Sequence, residues 1–420
     1  MKIKLKIVAL CCFVSSWGQN LSLETALQQG SYSKLEQAQQ QTALAKIKLK
    51  IQRSKQLPLI YGEANLQRNL IVPVTPVPSI AFNPNAQAGD ITPLKFATDW
   101  SAKAGLQASL DVFNPSNKIN VQTSNYELKK AQLEEKITSK DFKKNLTITY
   151  AQGVLAQQQL QFAIQNTNMY QQTYFALAKR YEAGRISTYE INNAEKKRLE
   201  LLYLVQEAEN VLANQYVQLF EFIEMNNIDS LSTTMPQIID RLQILNTTDE
   251  LDRIELSKEN AQFQAQKNKL LYLPKLTLNA FYGTNFFNNS LDLGNTNYWY
   301  GNSYVNLTLR VPISEAYETH LKAKQLELEQ QNLDSQLTEA YTNITLKETQ
   351  KINDIVALKA KIKMLENSLL LSHQNYNIVN QKLLEGQVLV SDLSAEFDSY
   401  LQDQKKLWQA QYDLVSKMLE

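Results

Sequence analysis

The histidine and cysteine side chains that most often serve as metal ligands and thiol catalysts are sparse in this 420-residue chain. It contains only two His, at positions 320 and 373, and two Cys, at positions 11 and 12. The sequence has no paired-carboxylate, triad, HExxH or Gly-rich phosphate motif. We therefore expect a protein that is not an enzyme, with no cofactor and no bound metal. Because His320 and His373 are each isolated, we interpret them as solvated or packed residues.

Two short turns carry acids at matching positions. Gly184 is followed six residues later by Glu190, and Gly386 is followed six residues later by Asp392. Ser187 and Glu190 have the spacing of a capping box, in which both side chains satisfy free N–H groups at a helix start. Asp392 also falls at a helix start, where the helix dipole favours a negative charge. The two glycines would permit a tight reversal of the chain.

The charge balance argues against a nucleic-acid-binding protein. The chain has 43 Lys and Arg against 42 Asp and Glu, for a net charge of +1. Lys2, Lys4 and Lys6 lie in a predicted signal peptide, and their removal lowers the net charge to −2. The chain has no block of basic residues to supply the positive surface that phosphate backbones attract.

The N-terminus predicts export. Residues 1–18 combine early lysines, an apolar run over 7–14 and small residues before a cleavage site after residue 18. Cys11 and Cys12 allow a lipoprotein interpretation, which we disfavour because Leu10 is bulky where lipoprotein processing requires a small residue. Ordinary cleavage leaves no Cys, as suits an exported protein without disulfides. No later window has about 20 apolar residues, so we expect no transmembrane helix, and the chain would be soluble or inserted as strands.

The chain contains an internal duplication. Leu273-Pro274 repeats Leu57-Pro58 after 216 residues, and Gly386 repeats Gly184 after 202 residues. We predict two copies of one unit, in the order helix, strand, loop, strand, long helix, turn and returning helix. The predicted boundaries are 19–225 for the first copy, 226–247 for a polar equatorial insert and 248–420 for the second copy.

Each copy contains two strands with the alternation of membrane strands, in hairpins predicted at 58–113 and 274–313. In the fourth strand, Val305, Leu307 and Leu309 alternate with Asn306 and Thr308. Each strand has about the 9–11 residues that cross a bilayer at a tilt. Hairpins of a soluble sheet would alternate equally well, but they rarely adjoin helices as long as those predicted here. Aromatic residues gather near the loop ends, as in an interfacial girdle: Trp100, Phe286, Phe287, Tyr298, Trp299 and Tyr300.

The loop of the first hairpin, over 70–96, is rich in proline. Its prolines are Pro73, Pro76, Pro78, Pro84 and Pro93. We expect this density of proline to prevent ladder pairing and to keep the segment out of the sheet. The loop would then form an extended cap at the mouth of the strand assembly.

The remaining segments predict long helices. Residues 116–180 and 315–382 would each form a helix of ~100 Å. Shorter helices are predicted at 22–55, 188–225, 248–272 and 391–420, the third of them with a capping box that begins at Thr247. Joined in pairs, these shorter helices give two further rods of nearly the same length. Rods of equal length are what the wall of a tube requires.

One face of the second long helix is apolar at seven-residue spacing, which predicts left-handed supercoiling against a neighbouring helix. Its a and d positions are Ile355, Leu358, Ile362, Leu365, Leu369, Ser372, Tyr376, Val379 and Leu383. The first copy has a stripe of smaller residues: Gly153, Ala156, Leu160, Ala163, Thr167, Tyr170, Tyr174, Leu177 and Tyr181. An ordinary amphipathic bundle would instead have short helices in a compact domain.

With these features the chain resembles the TolC-like outer-membrane efflux protein family, over essentially the whole mature chain. Leu21 to Leu27 is similar to the opening helix signature, and both turns match the tip pattern of Gly followed six residues later by an acid and an aliphatic residue. The long Pro-rich loop resembles that of Bacteroidetes-type members. The resemblance implies a mainly α fold with membrane β: a long α-helical coiled-coil barrel and a 12-stranded β-barrel shared by three protomers. Closure is also required physically, because four strands alone would leave unpaired edges in lipid.

The resemblance further implies a function. The chain would form a homotrimer in the cell outer membrane, with a periplasmic helical tunnel. This homotrimer would be the passive exit duct of a tripartite efflux or type I secretion system that exports small molecules. Its partners would be outer-membrane lipid, a periplasmic adaptor (membrane fusion) protein and an inner-membrane pump. The helical tips would lie at 181–188 and 383–391.

The resemblance also assigns roles at the tips. Asp392 matches an acid that constricts the trimer in the family, and Glu190 is a second constriction candidate. The next acid of the family pattern is Ala395 here, which argues against a double acidic ring. The candidates for the tip turns and adaptor contacts, chosen by position, are Gly184, Arg185, Ile186, Gly386, Gln387 and Val388.

Two other classes of function stay open. A non-channel, envelope-anchored coiled-coil structural protein would explain the long helices but not the hairpins. An outer-membrane enzyme would need a catalytic cluster that the sequence lacks. The cargo cannot be read from the sequence, although scarce His and Met disfavour a dedicated copper route.

Overall fold

The computed structural model describes residues 19–223, 228–242, 248–313 and 316–420. The predicted signal peptide and Thr247, where a capping box was predicted, lie outside these ranges. The chain divides into two compact units. The first unit comprises the chain up to Gln40 with Gln132–Asp252 and Thr338–Glu420, and the second comprises Gln41–Ala131 and Arg253–Leu337.

Helices and strands follow one another in nearly the predicted order. The helices are α1 (Leu23–Gln29), α2 (Ser33–Ser54), α3 (Pro115–Glu182), α4 (Thr188–Phe220), α5 (Met235–Arg241), α6 (Asp249–Leu270), α7 (Ala316–Glu385) and α8 (Val390–Leu419). The strands are β1 (Gln19–Leu21), β2 (Leu59–Arg68), β3 (Val74–Pro78), β4 (Ile91–Lys95), β5 (Trp100–Phe113), β6 (Ile228–Leu231), β7 (Lys275–Asn288) and β8 (Trp299–Arg310).

The two long helices are present. α3 has 68 residues and α7 has 70, so each is about 100 Å long. The prediction of one continuous helix over 22–55 is wrong, because the chain is extended at Gly30, where it forms a bridge with Ile223. α4 ends at Phe220, five residues before the predicted end. No described helix is long and apolar enough to cross a membrane.

The insert predicted to be polar contributes to the apolar core of the first unit. β6 pairs with β1 in parallel, and the Tyr150 hydroxyl donates a hydrogen bond of 2.7 Å to the Leu21 carbonyl oxygen beside this pair. The prediction is therefore wrong for residues 228–242, whose buried apolar side chains are Ile228, Leu231, Met235 and Ile238. Ile228 and Leu231 lie in β6 and Met235 and Ile238 lie in α5, so neither element is long enough to show a period, and β6 exists because β1 is there to pair with it.

In the second unit, four antiparallel strands form one sheet in the order β2–β5–β7–β8. The register places even-numbered residues of three strands on one side of the sheet: those of β2, of β7 and of β5 up to Leu110. The odd-numbered residues of β8 lie on the same side. We name this the apolar side, because it carries Leu106, Ala280 and Val305, and we name the opposite one the polar side. The predicted alternation is confirmed. In a single chain the apolar side is open: Leu106 is 58% exposed and Val305 is 74% exposed.

Two glycines allow the backbones of β5 and β7 to approach closely. Gly105 lies opposite Gly283, and the Phe281 ring, only 2% exposed, lies over the pair. A Cβ added to Gly283 would overlap the Ala104 carbonyl oxygen and would lie 2.6 Å from the Gly105 Cα. The Lys103 ammonium is 4.1 Å from the centre of the Phe281 ring. The aromatic ring thus fills the space that the glycines leave empty.

β3 and β4 form a separate two-stranded ladder. The expectation that prolines would prevent pairing is wrong, although the segment does stay out of the four-stranded sheet. In an antiparallel ladder, opposite residues alternate between pairs that exchange backbone hydrogen bonds and pairs that do not. Pro76 faces Pro93, and Pro78 lies two residues further along β3, so all three prolines belong to pairs of the same kind. The Ser79 N–H donates to the Asp90 carbonyl oxygen at 2.8 Å, in a pair of the other kind. The prolines therefore take the positions whose N–H would point away from the partner strand.

Candidate functional site

The first predicted tip is a tight reversal between α3 and α4. The Arg185 N–H donates to the Arg180 carbonyl oxygen at 2.8 Å, and the Gly184 N–H donates to the Tyr181 carbonyl oxygen at 2.9 Å. These two bonds make a Schellman motif, which satisfies the last carbonyl groups of a helix. It requires a left-handed residue after the helix, and Gly184 has φ +66°.

The second predicted tip, between α7 and α8, repeats this geometry 202 residues later. The Gln387 N–H donates to the Lys382 carbonyl oxygen at 2.9 Å, and the Gly386 N–H donates to the Leu383 carbonyl oxygen at 2.9 Å. Gly386 has φ +83°. The interpretation that both glycines permit the reversals is confirmed.

The two acids cap the returning helices. At the start of α4, the Glu190 N–H donates to Ser187 Oγ at 3.2 Å, and the Ser187 N–H donates to the Glu190 carboxylate at 3.0 Å. At the start of α8, the Leu389 N–H donates to the Asp392 carboxylate at 3.0 Å. Because a Leu side chain accepts no hydrogen bond, Asp392 supplies the side-chain cap on its own. The predicted capping box of Glu190 is confirmed, and Asp392 has the equivalent role.

Arg180 connects the two tips. Its Nη1 donates to the Leu383 carbonyl oxygen at the end of α7, where a positive charge is favoured by the helix dipole. A Cβ added to Gly386 would lie 2.6 Å from Arg180 Nη2, so a side chain at this position would push the guanidinium aside. The sequence alone does not single out Arg180. A basic residue in the last turn of α3 was a visible signal, but its partner is 203 positions away.

The turn residues fall into two groups. Ile186 and Val388 are half-buried and pack against the apolar cluster below the tips, which includes Leu177, Leu383 and Leu393. Of the six candidate residues, Arg185 and Gln387 are, besides the two glycines, the exposed ones.

The predicted a and d stripe is the buried face of α7. Leu365 is 5% exposed, Tyr376 is fully buried and Leu383 is 2% exposed, which confirms the stripe. In the first copy, Leu177 is fully buried, but Tyr181 is 41% exposed. The stripe is therefore wrong at Tyr181, whose hydroxyl lies 3.3 Å from Thr188 Oγ1 at the exposed start of α4, whereas the equivalent Leu383 packs in the apolar cluster below the tips.

Aromatic rings fill the core between the helices of the tip region. Tyr170, Tyr376 and Phe397 are fully buried, with the Tyr376 and Phe397 ring centres 5.0 Å apart. Burial raises the pKa of Tyr170 to about 12, and it also raises the pKa of Tyr376. Both phenols are therefore neutral at physiological pH.

Polar contacts also join the helices of this region. Lys197 on α4 is 9% exposed, and its ammonium donates to the Asp398 carboxylate on α8 and lies 3.4 Å from the Glu200 carboxylate. Thr173 Oγ1 donates to Asn380 Oδ1 at 3.1 Å between α3 and α7. Separation of α8 from α4 would leave Lys197 with Glu200 alone, so the ion pair with Asp398 favours the packing of the two helices.

The predicted His interpretations are confirmed. The His373 ring packs on Tyr400 with ring centres 5.1 Å apart, and His320 is exposed to solvent. In the described ranges, no group of three or more His, Cys, Asp or Glu is placed to hold a metal ion. The two tips therefore place charged side chains at the ends of helices.

The fold matches solved outer-membrane proteins over almost the whole chain. The outer membrane protein VceC from Vibrio cholerae is 16% identical, the match covers 94% of this chain and 93% of that chain, and the TM-score is 0.72. CusC, solved in connection with folding and transmembrane channel formation, is 16% identical over 96% of this chain and 94% of its own, with a TM-score of 0.73. The open state of the Neisseria gonorrhoeae MtrE outer membrane channel is 15% identical over 94% and 86%, with a TM-score of 0.65. No protein-family profile and no curated protein sequence matches the chain.

These matches establish the fold. The prediction of a mainly helical chain with long helices and strands in a TolC-like fold is confirmed.

Proposed function

We propose that this chain is the outer-membrane exit duct of a tripartite efflux system or a type I secretion system. Three copies would form a passive channel that carries small molecules across the periplasm and the outer membrane. The observation that carries the proposal is a four-stranded sheet that has one apolar side and two open edges.

The open edges require further strands. Within one chain, β2 pairs with β5 and β8 pairs with β7, so each outer strand has a row of backbone groups that no described strand satisfies. In hydrocarbon each unsatisfied group would cost several kcal/mol in order of magnitude. A ring in which β8 of one copy pairs with β2 of the next removes every edge. Three copies would give a closed barrel of 12 strands.

The apolar side has the height of a bilayer. From Trp100 to Leu110 on β5 the chain advances ten residues, or about 33 Å at the rise of a strand. A tilt of about 40° reduces this to roughly 25 Å, the height of the apolar band on an outer-membrane barrel. The aromatic residues Trp100, Phe286 and Trp299 lie on the rungs at one end of this band.

α7 carries a second apolar stripe that a tube wall would bury. Opposite the buried a and d stripe lie exposed apolar side chains at the b and c positions: Val356, Met364, Leu370, Leu371, Ile378 and Leu384. The exposed fractions of Val356 and Leu371 are 63% and 60%. A helix that is apolar on two opposite faces packs against neighbours on both. We assign the second face to the next copy.

The remaining features take their places in this duct. The repeats 19–225 and 248–420, with the insert 226–247, would form each protomer of the homotrimer after removal of residues 1–18. Arg185 and Gln387 would meet a periplasmic adaptor protein coupled to an inner-membrane pump, and Asp392 and Glu190 would narrow the closed tip. The separate β3–β4 ladder supports a Bacteroidetes-type member, because it is the part that lengthens the first loop. VceC and MtrE, described as outer membrane proteins, support the outer membrane as the location.

The proposal predicts a trimer in the outer-membrane fraction. The assay is native mass in mild detergent, combined with fractionation of the cell envelope. Leu371→Glu, on the second stripe, should abolish the trimer, because it would bury an unpaired charge between copies. Asn375→Glu, at an exposed position between the stripes, is the matched control and should assemble normally. A monomeric wild type, or its recovery in the soluble periplasm, would contradict the duct and favour a coiled-coil structural protein.

A further inference from the structure

The charged residues of the four-stranded sheet are distributed very unequally. Five of the six lie on the polar side: Glu63, Lys103, Asp111, Lys275 and Arg310. The sixth is Arg68, the last residue of β2, which lies on the apolar side opposite Trp100. A charge on an otherwise apolar membrane surface costs free energy unless something compensates it.

Arg68 belongs to the row of aromatic side chains at the loop end of the sheet. Its guanidinium carbon is 5.3 Å from the centre of the Trp100 ring. Phe286 and Trp299, on neighbouring strands, have ring centres 5.5 Å apart. Such rows lie where membrane strands pass from hydrocarbon into the headgroup layer. In the proposed duct the Trp100 ring would hold the Arg68 guanidinium at headgroup level, and the Arg68 side chain is exposed, so its N–H groups would be accessible to a ligand.

The backbone beside Arg68 is fixed. The Asn69 N–H donates to the Asp99 carbonyl oxygen at 2.8 Å, and Asn69 Nδ2 donates to the Thr98 carbonyl oxygen at 2.8 Å. The pairing of the strands thus continues one residue beyond Arg68, so its position is that of a strand residue. Within the described ranges, Arg68 forms no ion pair with a carboxylate.

We propose that Arg68 binds the phosphate group of a membrane lipid whose acyl chains lie along the apolar side. This inference rests on the duct proposed above. A guanidinium offers a planar fork of N–H donors that fits two phosphate oxygens. β2 starts a few residues after α2 and ends at Arg68, so the bound lipid belongs to the leaflet at the loop end of the sheet, the outer leaflet in the proposed duct. Each trimer has three such sites.

Native mass spectrometry of the full-length trimer in a phosphate-free maltoside detergent tests the site. The probes are dioleoyl phosphatidic acid and a dioleoyl galactolipid, which share acyl chains but differ in the phosphate. The wild type should retain up to three phosphatidic acid molecules and should bind them more tightly than the galactolipid. Arg68→Gln should weaken phosphatidic acid binding about fivefold, the effect of one cation at an anionic membrane surface.

Arg310→Gln is the matched control, because it is the same substitution on the polar side of the sheet, and it should bind phosphatidic acid like the wild type. Equal binding by the wild type and Arg68→Gln would overturn the proposal. Competition by inorganic phosphate at equal concentration would also overturn it, by assigning the site to free phosphate. A wild type that is monomeric and does not enter vesicles would contradict the duct and the lipid site together. A trimer that inserts but does not distinguish the two lipids would contradict the lipid site alone.

Discussion

Substitution of the two tip glycines should have unequal effects, because only one of them leaves room for Arg180. Gly184 and Gly386 both have positive φ, so Ala at either position pays for a left-handed backbone, about 1–2 kcal/mol. Part of that cost is offset by the lower entropy of the unfolded chain, about 0.4–1 kcal/mol. A Cβ on Gly184 would meet no heavy atom within 4 Å. We therefore expect Gly184→Ala to destabilise its tip by about 1 kcal/mol.

Gly386→Ala should cost more. Its Cβ would displace the Arg180 guanidinium, which donates to the Leu383 carbonyl oxygen. A hydrogen bond from a charged donor contributes about 1.5–3 kcal/mol, and partial solvent exposure reduces this one to about 1 kcal/mol. The carbonyl group keeps its bond from the Gly386 N–H, so it is not left without a partner. The expected total is about 2 kcal/mol.

Hydrogen exchange of the tip amides measures the free energy of local opening directly. A double-mutant cycle with Arg180→Gln isolates the proposed cause. In that background Gly386→Ala should cost no more than Gly184→Ala, because the guanidinium is already absent. Equal costs for the two glycine substitutions in the wild-type background, or an unchanged cost of Gly386→Ala in the Arg180→Gln background, would refute the reasoning.

Three further substitutions test the packing of the two units. Leu365→Asp should destabilise the first unit by roughly 3 kcal/mol or more in thermal unfolding, because it buries an unpaired charge. Lys359→Asp, at an exposed position, is the control and should not, and similar losses of stability for both would show the stripe to be wrongly assigned. Gly283→Ala should prevent assembly, measured as the yield of SDS-resistant trimer, because its Cβ would overlap the backbone of β5. Gly301→Ala is the control, because its Cβ would meet no heavy atom within 4 Å. Normal assembly of Gly283→Ala would disprove the close approach of β5 and β7. Because burial raises the pKa of Tyr170 to about 12, the unfolded chain ionises at a lower pH, and stability should fall by up to about 3 kcal/mol as pH rises from 10 to 12. Tyr170→Phe should make this fall in the profile of urea midpoints shallower, although Tyr376, whose pKa is also raised, still contributes; an unchanged profile would contradict it.

Periodic features could be predicted from the sequence, because they repeat within one element. The a and d stripe of α7 needs only the spacing of residues such as Leu365 and Leu383, and the two sides of the sheet need only the alternation around Leu106. The capping box of Ser187 and Glu190 is likewise local. Each of these signals is complete within a few turns of helix or one strand.

Features that depend on a distant partner could not be predicted. β6 forms because β1, some 200 residues earlier, pairs with it. Arg180 has its role because α7 ends at the same place as α3. Pro76 of β3 and Pro93 of β4 fit into one ladder because they face each other, and only the register of the two strands decides that they do. In all three cases the deciding contact joins residues of different elements, and no local pattern in the sequence marks them as partners.

Asp392 presents two roles that a single substitution would confuse. Its carboxylate caps α8 through the Leu389 N–H, and in the proposed trimer three exposed copies would repel one another and attract cations. Asp392→Ala removes both the cap and the charge. Asp392→Asn removes the charge but keeps a side-chain oxygen that can accept the same hydrogen bond, so the pair of variants separates the roles.

If the charge narrows the closed tip, both variants should raise single-channel conductance in planar bilayers, or weaken block by divalent cations, with trimer yield unchanged. If the acid acts only as a cap, Asp392→Ala should open the start of α8 more easily by about 0.5–1 kcal/mol in hydrogen exchange, and conductance should stay the same for both. Glu190→Gln applies the same test to the second constriction candidate, because it removes the charge while Gln preserves the capping box. Unaltered conductance and cation block in a correctly assembled Asp392→Asn trimer would leave the capping role alone. An effect of Asp392→Asn equal to that of Asp392→Ala would assign the change in conductance to the charge, since in Asp392→Asn the helix start is intact.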